Sequence, residues 1–251
     1  MLSKRIIACL DVRDGTVVKG VNFEGLRHAG DPAALARRYN VEGIDEIVIL
    51  DVTATIESRR ARAHTIAAVA REIFLPLTVG GGIRGEADAA AAIDAGADKV
   101  SLNTAALSDP NLITTLTRRY GSQAVIVAID AKRQHEKFAV YARSGQAGTR
   151  HDAVDWAREA TDRGAGEILL TSIDRDGTKA GFDCEMTAAV SDAVNIPVIA
   201  SGGAGTFEHF AEVFGAGRAD AALAASIFHF NEKSVGELKQ FLARQHIPVR
   251  L

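Results

Sequence analysis

The sequence predicts a TIM (β/α)8 barrel built from two similar half-barrels, and two observations carry that expectation. The first is an internal repeat. Leu77-Thr78-Val79-Gly80-Gly81-Gly82, after Pro76, returns as Val198-Ile199-Ala200-Ser201-Gly202-Gly203 after Pro197, 121 residues later. Ile6-Ile7-Ala8-Cys9-Leu10-Asp11 returns as Val125-Ile126-Val127-Ala128-Ile129-Asp130 at an offset of 119, and the run beginning at Glu46 returns at Glu167. So long a period exceeds any solenoid unit and marks one domain, 1–251, made of two fused halves, 1–122 and 123–251. The second observation is alternation: short apolar runs follow amphipathic stretches, as in β/α units around a parallel sheet. Eight such units in 251 residues match a barrel in count and length. A doubly wound open sheet does not explain four units occurring twice.

Strands are expected near 6–11, 46–51, 77–80, 99–102, 124–130, 167–172, 198–201 and 221–224, each followed by a helix. Asp31-Pro32 and Asp109-Pro110 each put a capping carboxylate before a proline at the first helical position. The other helices are expected near 58–73, 85–95, 152–163, 184–194, 206–216 and 234–245, with Trp156 and Phe210 on their buried faces. Two connections, 14–30 and 131–149, are longer than packing requires and read as lids or binding loops.

Composition narrows the function. Hydrophobic content of 47% supplies a full core, while a net charge of −3 without any Lys/Arg run argues against a nucleic-acid partner. Cys9 and Cys184 fit no CxxC pattern, which suggests a reduced, cytoplasmic compartment. No charged-then-apolar leader and no run of membrane-spanning length is seen, so a soluble protein with no membrane association is expected. The seven histidines show no metal-ligand spacing, and neither a metal nor a cofactor is assigned. Nucleophile-elbow and Ser-His-Asp patterns are also missing.

Strand side chains alternate, so an inward Asp11 turns Cys9, Ile7 and Arg5 inward below it, and Asp130 does the same for Ala128 and Ile126. The first and fifth strands face each other across an eight-stranded barrel. The two carboxylates then flank one substrate, as an acid and a base should, although aspartates after strands also serve as turn formers. The glycine runs Gly80-Gly81-Gly82 and Gly202-Gly203 end strands three and seven, where backbone N–H groups can approach a phosphate. Asn103-Thr104 and Ala225-Ser226 lie beside them, and Ser226 is placed to open a short helix. Asp174-Arg175-Asp176-Gly177-Thr178 adds a third polar loop, which also reads as an Asx turn. At the opposite end Arg5, Glu46, Lys99 and Glu167 each begin a strand. Buried charges need partners, so these four form either a neutral plug or a gate on an axial channel.

Together the blocks around Asp11, Gly82, Lys99, Gly121-Ser122-Gln123-Ala124, Asp130-Ala131-Lys132-Arg133, Asp176 and Gly203-Ala204-Gly205 resemble the cyclase subunits of imidazole glycerol phosphate synthases, a family of histidine biosynthesis. The resemblance runs over nearly the whole chain. It implies a ribulosyl aminoimidazole carboxamide nucleotide with a phosphate at each end as substrate. Attack by ammonia then yields imidazole glycerol phosphate and an aminoimidazole carboxamide ribotide. It further implies Asp11 and Asp130 as the acid/base pair and Lys19 as a loop residue acting over the substrate. One phosphate is implied at Gly82, Asn103 and Thr104, and the other around Asp176, Gly177, Gly203, Ala225 and Ser226. Arg5, Glu46, Lys99 and Glu167 are implied as the gate admitting ammonia from a glutaminase subunit docked on the N-terminal face of the barrel. The chain departs from the family's pattern at Gly217-Arg218-Ala219-Asp220, one residue longer than Gly96-Ala97-Asp98.

Two rivals share some of these features. The isomerase of the preceding pathway step has the repeat, the aspartates and two phosphate sites but needs no ammonia, so the charged ring and the Asp174 to Thr178 block count against it. A noncatalytic scaffold that binds sugar phosphates would not need both aspartates.

Overall fold

The computed structural model describes residues 2–21, 24–52, 63–143, 145–229 and 234–251, with the side chains of 19–21 and 24–27 outside that description. In chain order the strands are β1 (Arg5–Arg13), β2 (Thr16–Val21), β3 (Glu24–Gly30), β4 (Glu46–Asp51), β5 (Leu77–Gly80), β6 (Lys99–Leu102), β7 (Val125–Gln134), β8 (Lys137–Ala142), β9 (Ala147–Asp152), β10 (Glu167–Ser172), β11 (Val198–Ser201) and β12 (Ala221–Ala224). The helices are α1 (Pro32–Val41), α2 (Ala63–Ala70), α3 (Glu86–Asp94), α4 (Thr104–Ser108), α5 (Asn111–Tyr120), α6 (Ala153–Asp162), α7 (Cys184–Ser191), α8 (Phe207–Gly215), α9 (Ser226–His229) and α10 (Val235–Arg244).

Eight parallel strands close in the order β1-β4-β5-β6-β7-β10-β11-β12, with β12 pairing back onto β1. The repeat recurs in the strand register. Ile7 faces Glu46 as Ile126 faces Glu167, Ile47 faces Leu77 as Ile168 faces Val198, and Thr78 faces Lys99 as Ile199 faces Ala221.

Alternation sorts the apolar side chains into two layers. Ile7, Cys9, Val48, Ile126, Leu169 and Ile199 pack inside the barrel. Their neighbours along the strands, such as Ile6, Ile47 and Val127, join the core between sheet and helices, where Trp156 and Phe210 are buried.

Among their described residues the connections 14–30 and 131–149 are largely strands, where the sequence reading expected loops. Each prolongs its barrel strand and folds back as an antiparallel hairpin: β2 on β1 with β3 outside it, and β8 on β7 with β9 outside it. The cause is local. Asp14 and Gly15 both take positive φ, 51° and 79°, as a tight hairpin turn requires. Val17 and Val18 are buried, and so are Phe138 and Val140 on β8.

Helix starts follow the capping chemistry. Asp31 accepts the Ala34 N–H at 2.8 Å before Pro32 opens α1. At α5, Pro110 is itself the capping residue, and Asp109 accepts the Asn111 N–H at 3.1 Å. The expected helix at 58–73 is described only from Ala63. The extra residue Arg218 sits at φ 56° and pairs with Asp192 on the outer surface.

Candidate active site

A cavity of about 820 Å³ opens at the C-terminal ends of the barrel strands. Asp11 on β1 and Asp130 on β7 both line it, from strands four places apart in the closed order of eight. The alternation that puts them there also puts Cys9 and Ala128 into the same cavity. Asp11 is buried, and its Oδ1 accepts a hydrogen bond from Cys9 Sγ at 3.2 Å.

Asp130 sits in a more crowded electrostatic setting. Burial pushes its carboxyl up, the Asn103 side chain pulls it down, the nearby charge of Asp176 pushes it up again, and Thr171 pulls it down; it titrates at about 6. Asn103 Nδ2 donates to Asp130 Oδ2 at 2.9 Å, and Thr171 is its register partner on β10. A carboxyl tuned toward neutrality can hold or release a proton at physiological pH.

Gly82, Asn103 and Thr104 line one side of the cavity, and Asp176, Gly177, Gly203, Ala225 and Ser226 line another. Two glycines are fixed by geometry. A Cβ on Gly81 (φ 82°) would stand 2.2 Å from the Asp51 carbonyl oxygen, and one on Gly203 (φ 100°) 2.1 Å from that of Gly181. These turns therefore keep bare backbone facing the cavity. Lys19 belongs to β2, but its side chain lies outside the described residues.

The four charged residues at the strand starts are brought together at the other end of the barrel. Arg5 bonds Glu46 at 2.6 Å and Glu167 at 2.7 Å, while Lys99 bonds the same two carboxylates at 3.1 and 2.6 Å. The result is a closed ring of alternating charge. Burial pushes Glu167 up, but the hydrogen bond and charge of Arg5, with those of Lys99, outweigh it and hold the carboxyl below its usual range.

Over residues 5–234 the chain matches the family model described as histidine biosynthesis protein. The chain belongs to that family. The imidazole glycerol phosphate synthase subunit HisF of Acidobacterium capsulatum is 61% identical over 251 residues, spanning 100% of this chain and 99% of the relative. The family match covers every strand of the barrel and stops before α10.

In this family member several cavity residues escaped the sequence reading. Thr171 shares the inward parity of Glu167, which was the available signal. Asp51 ends β4 as Asp11 lies on β1, and it too is buried against the cavity. Arg143 comes from the turn between β8 and β9, where no pattern in the sequence points inward. Among the described residues no three His, Cys, Asp or Glu side chains gather to hold a metal, and no helix is long and apolar enough to cross a membrane.

Proposed function

We propose that this chain is the cyclase subunit of imidazole glycerol phosphate synthase. It is read as one domain of two fused halves working in the cytoplasm with ammonia delivered by a glutaminase subunit. The observation that carries the reading is the pairing of two features on one axis. A cavity flanked by Asp11 and Asp130 lies at one end of the barrel, and a ring of Arg5, Glu46, Lys99 and Glu167 at the other. An isomerase needs only the first. The name of the 61% identical relative favours the same reading.

The substrate is a ribulosyl aminoimidazole carboxamide nucleotide with a phosphate at each end. Gly82, Asn103 and Thr104 are assigned to one phosphate, and Asp176, Gly177, Gly203, Ala225 and Ser226 to the other or its surroundings, with Lys19 acting above the bound ligand. Held by both ends, the ligand lies across the axis between the two aspartates. Ammonia adds to it, so protons must leave the new nitrogen while one reaches a departing group. Carboxyl groups on opposite sides, one tuned to about 6, suit those two tasks.

Docking of the glutaminase is assigned to the N-terminal face, where the strands begin. Four large apolar side chains are strongly exposed among the described residues: Leu2, Val41, Phe74 and Leu251. All belong to that face, since Leu2 precedes β1, Val41 ends α1, Phe74 precedes β5, and Leu251 follows the Lys4–Val249 bridge. Exposed apolar groups gathered on one face favour a protein partner there.

The test is turnover of the ribulosyl substrate. The chain alone should use ammonium salts at raised pH, where neutral ammonia is present, and should use glutamine only when a glutaminase subunit is added. Asp11→Asn and Asp130→Asn should bind substrate without turning it over. Normal turnover by both variants would end the acid/base assignment.

A further inference from the structure

The cavity is poorly matched in charge to a ligand with two phosphates. Asp11, Asp51, Asp130 and Asp176 all line it. Among the described residues its only cationic lining comes from Arg84 and Arg143. Arg84 is engaged already, with its Nε 3.5 Å from Asp88 Oδ2. Arg143 makes no ion pair among the described residues.

The backbone of Arg143 is fixed while its side chain is exposed. Its N–H donates to Thr104 Oγ1 at 2.9 Å, and its carbonyl accepts the Gln146 N–H at 3.2 Å. Its φ of 53° is the left-handed conformation that turns the chain over at this point. The guanidinium is therefore carried on a turn tied directly to Thr104, one of the residues assigned above to an anion. The tie crosses the repeat, because Thr104 belongs to the first half and Arg143 to the second.

We propose that Arg143 is a phosphate-binding residue of the Gly82–Thr104 anion site, supplied from beside Thr104 by the β8–β9 turn. An inference of this kind rests on the reading of that site given above. A planar guanidinium offers paired N–H donors to a phosphate monoester, which backbone amides and a threonine alone do not. The opposite anion site has no such group: among the described residues no cation from its loops lines the cavity, and the Arg175 guanidinium points to the Ala180 carbonyl at 3.4 Å. The two sites are thus electrostatically unequal, and the one at Thr104 is the tighter.

Titration of the full chain with inorganic phosphate tests this, with the backbone amide resonances of Gly82, Thr104, Gly203 and Ser226 followed by NMR. In the wild-type chain Gly82 and Thr104 should saturate at lower phosphate than Gly203 and Ser226. Arg143→Gln should weaken the first site about tenfold and leave the second within about twofold, while Arg143→Lys should recover much of the loss. The Thr104 bond is made by the backbone, so the turn survives both changes, and equal melting midpoints check this. Equal phosphate affinity at Gly82 and Thr104 in all three chains would overturn the role of Arg143 alone. Absence of any response at these amides in the wild-type chain would overturn the anion site and this inference together.

Discussion

Asn103 at the end of β6 holds Asp130 on β7 through a 2.9 Å hydrogen bond from Nδ2 to Oδ2, so a neighbouring side chain limits how far burial raises a candidate catalytic carboxyl. That bond lowers the carboxyl, against burial and Asp176, which raise it. Asn103→Ala is therefore expected to move Asp130 above its value of about 6. The acid limb of the pH–rate profile with saturating ammonia should shift upward with it. A limb that stays in place would detach Asn103 from the proton chemistry.

The same group makes stability depend on pH in a defined direction. Native Asp130 titrates at about 6 against an ordinary 3.8, so the folded chain holds this proton more tightly than the unfolded one. Stability then falls as pH rises between those values, and above about 6 the whole penalty of the buried charge is present. Asp130→Asn removes the charge. Its melting temperature should exceed that of the wild type at pH 8, with the difference shrinking as pH drops through 6 toward 4, as calorimetry across that range would reveal.

Lys99→Met should break the ring of charge. It leaves Glu46 and Glu167 with Arg5 as their remaining partner in the ring, and removing one member of a buried network costs about 3 kcal/mol. Denaturant unfolding measures the loss. With a glutaminase present, product formed per glutamine consumed should fall as well, because the ring is assigned the passage of ammonia.

Glycine substitutions separate strain from simple proximity to the cavity. Gly203→Ala places a Cβ against the Gly181 carbonyl at positive φ and should destabilise the chain by more than about 2 kcal/mol. Gly85 also lines the cavity, but it is extended at φ −175° and has nothing within 4 Å of a Cβ. Gly85→Ala should stay within about 0.5 kcal/mol of wild type in the same unfolding experiment.

Phe74 is 98% exposed between α2 and β5. Phe74→Asp is expected to weaken association with the glutaminase about tenfold or more while ammonium-driven turnover persists. Titration calorimetry with the partner supplies the first number and a turnover assay the second. Undiminished association would move the docking surface away from this residue.

Much of this molecule is written plainly in its residues. The barrel strands were legible because each is a short apolar run placed by a repeat, and from an inward Asp11 strand parity turned Arg5 to the same side. The hairpins were not, because glycines and charges in 14–30 and 131–149 resemble a loop, although Asp14-Gly15 between apolar runs was a hairpin signal. Nor was the link from Asn103 to Asp130, since residue type suggested an anion contact and only the closed barrel brings the amide to the carboxylate. Arg143 needed a turn conformation that residue order alone does not disclose. The side chain of Lys19 and residues 58–62 lie outside the described residues.

Strand register gives the charged ring one more consequence. Glu46 has its mate in Glu167, but Arg5 corresponds to Ala124 and Lys99 to Ala221, both buried alanines. Two copies of the front portion would crowd four cations around two acids at the barrel floor. Two copies of the rear portion would leave two acids with no counterion at all. The two segments therefore carry different charges at matching strand positions, and neither supplies a balanced ring by itself.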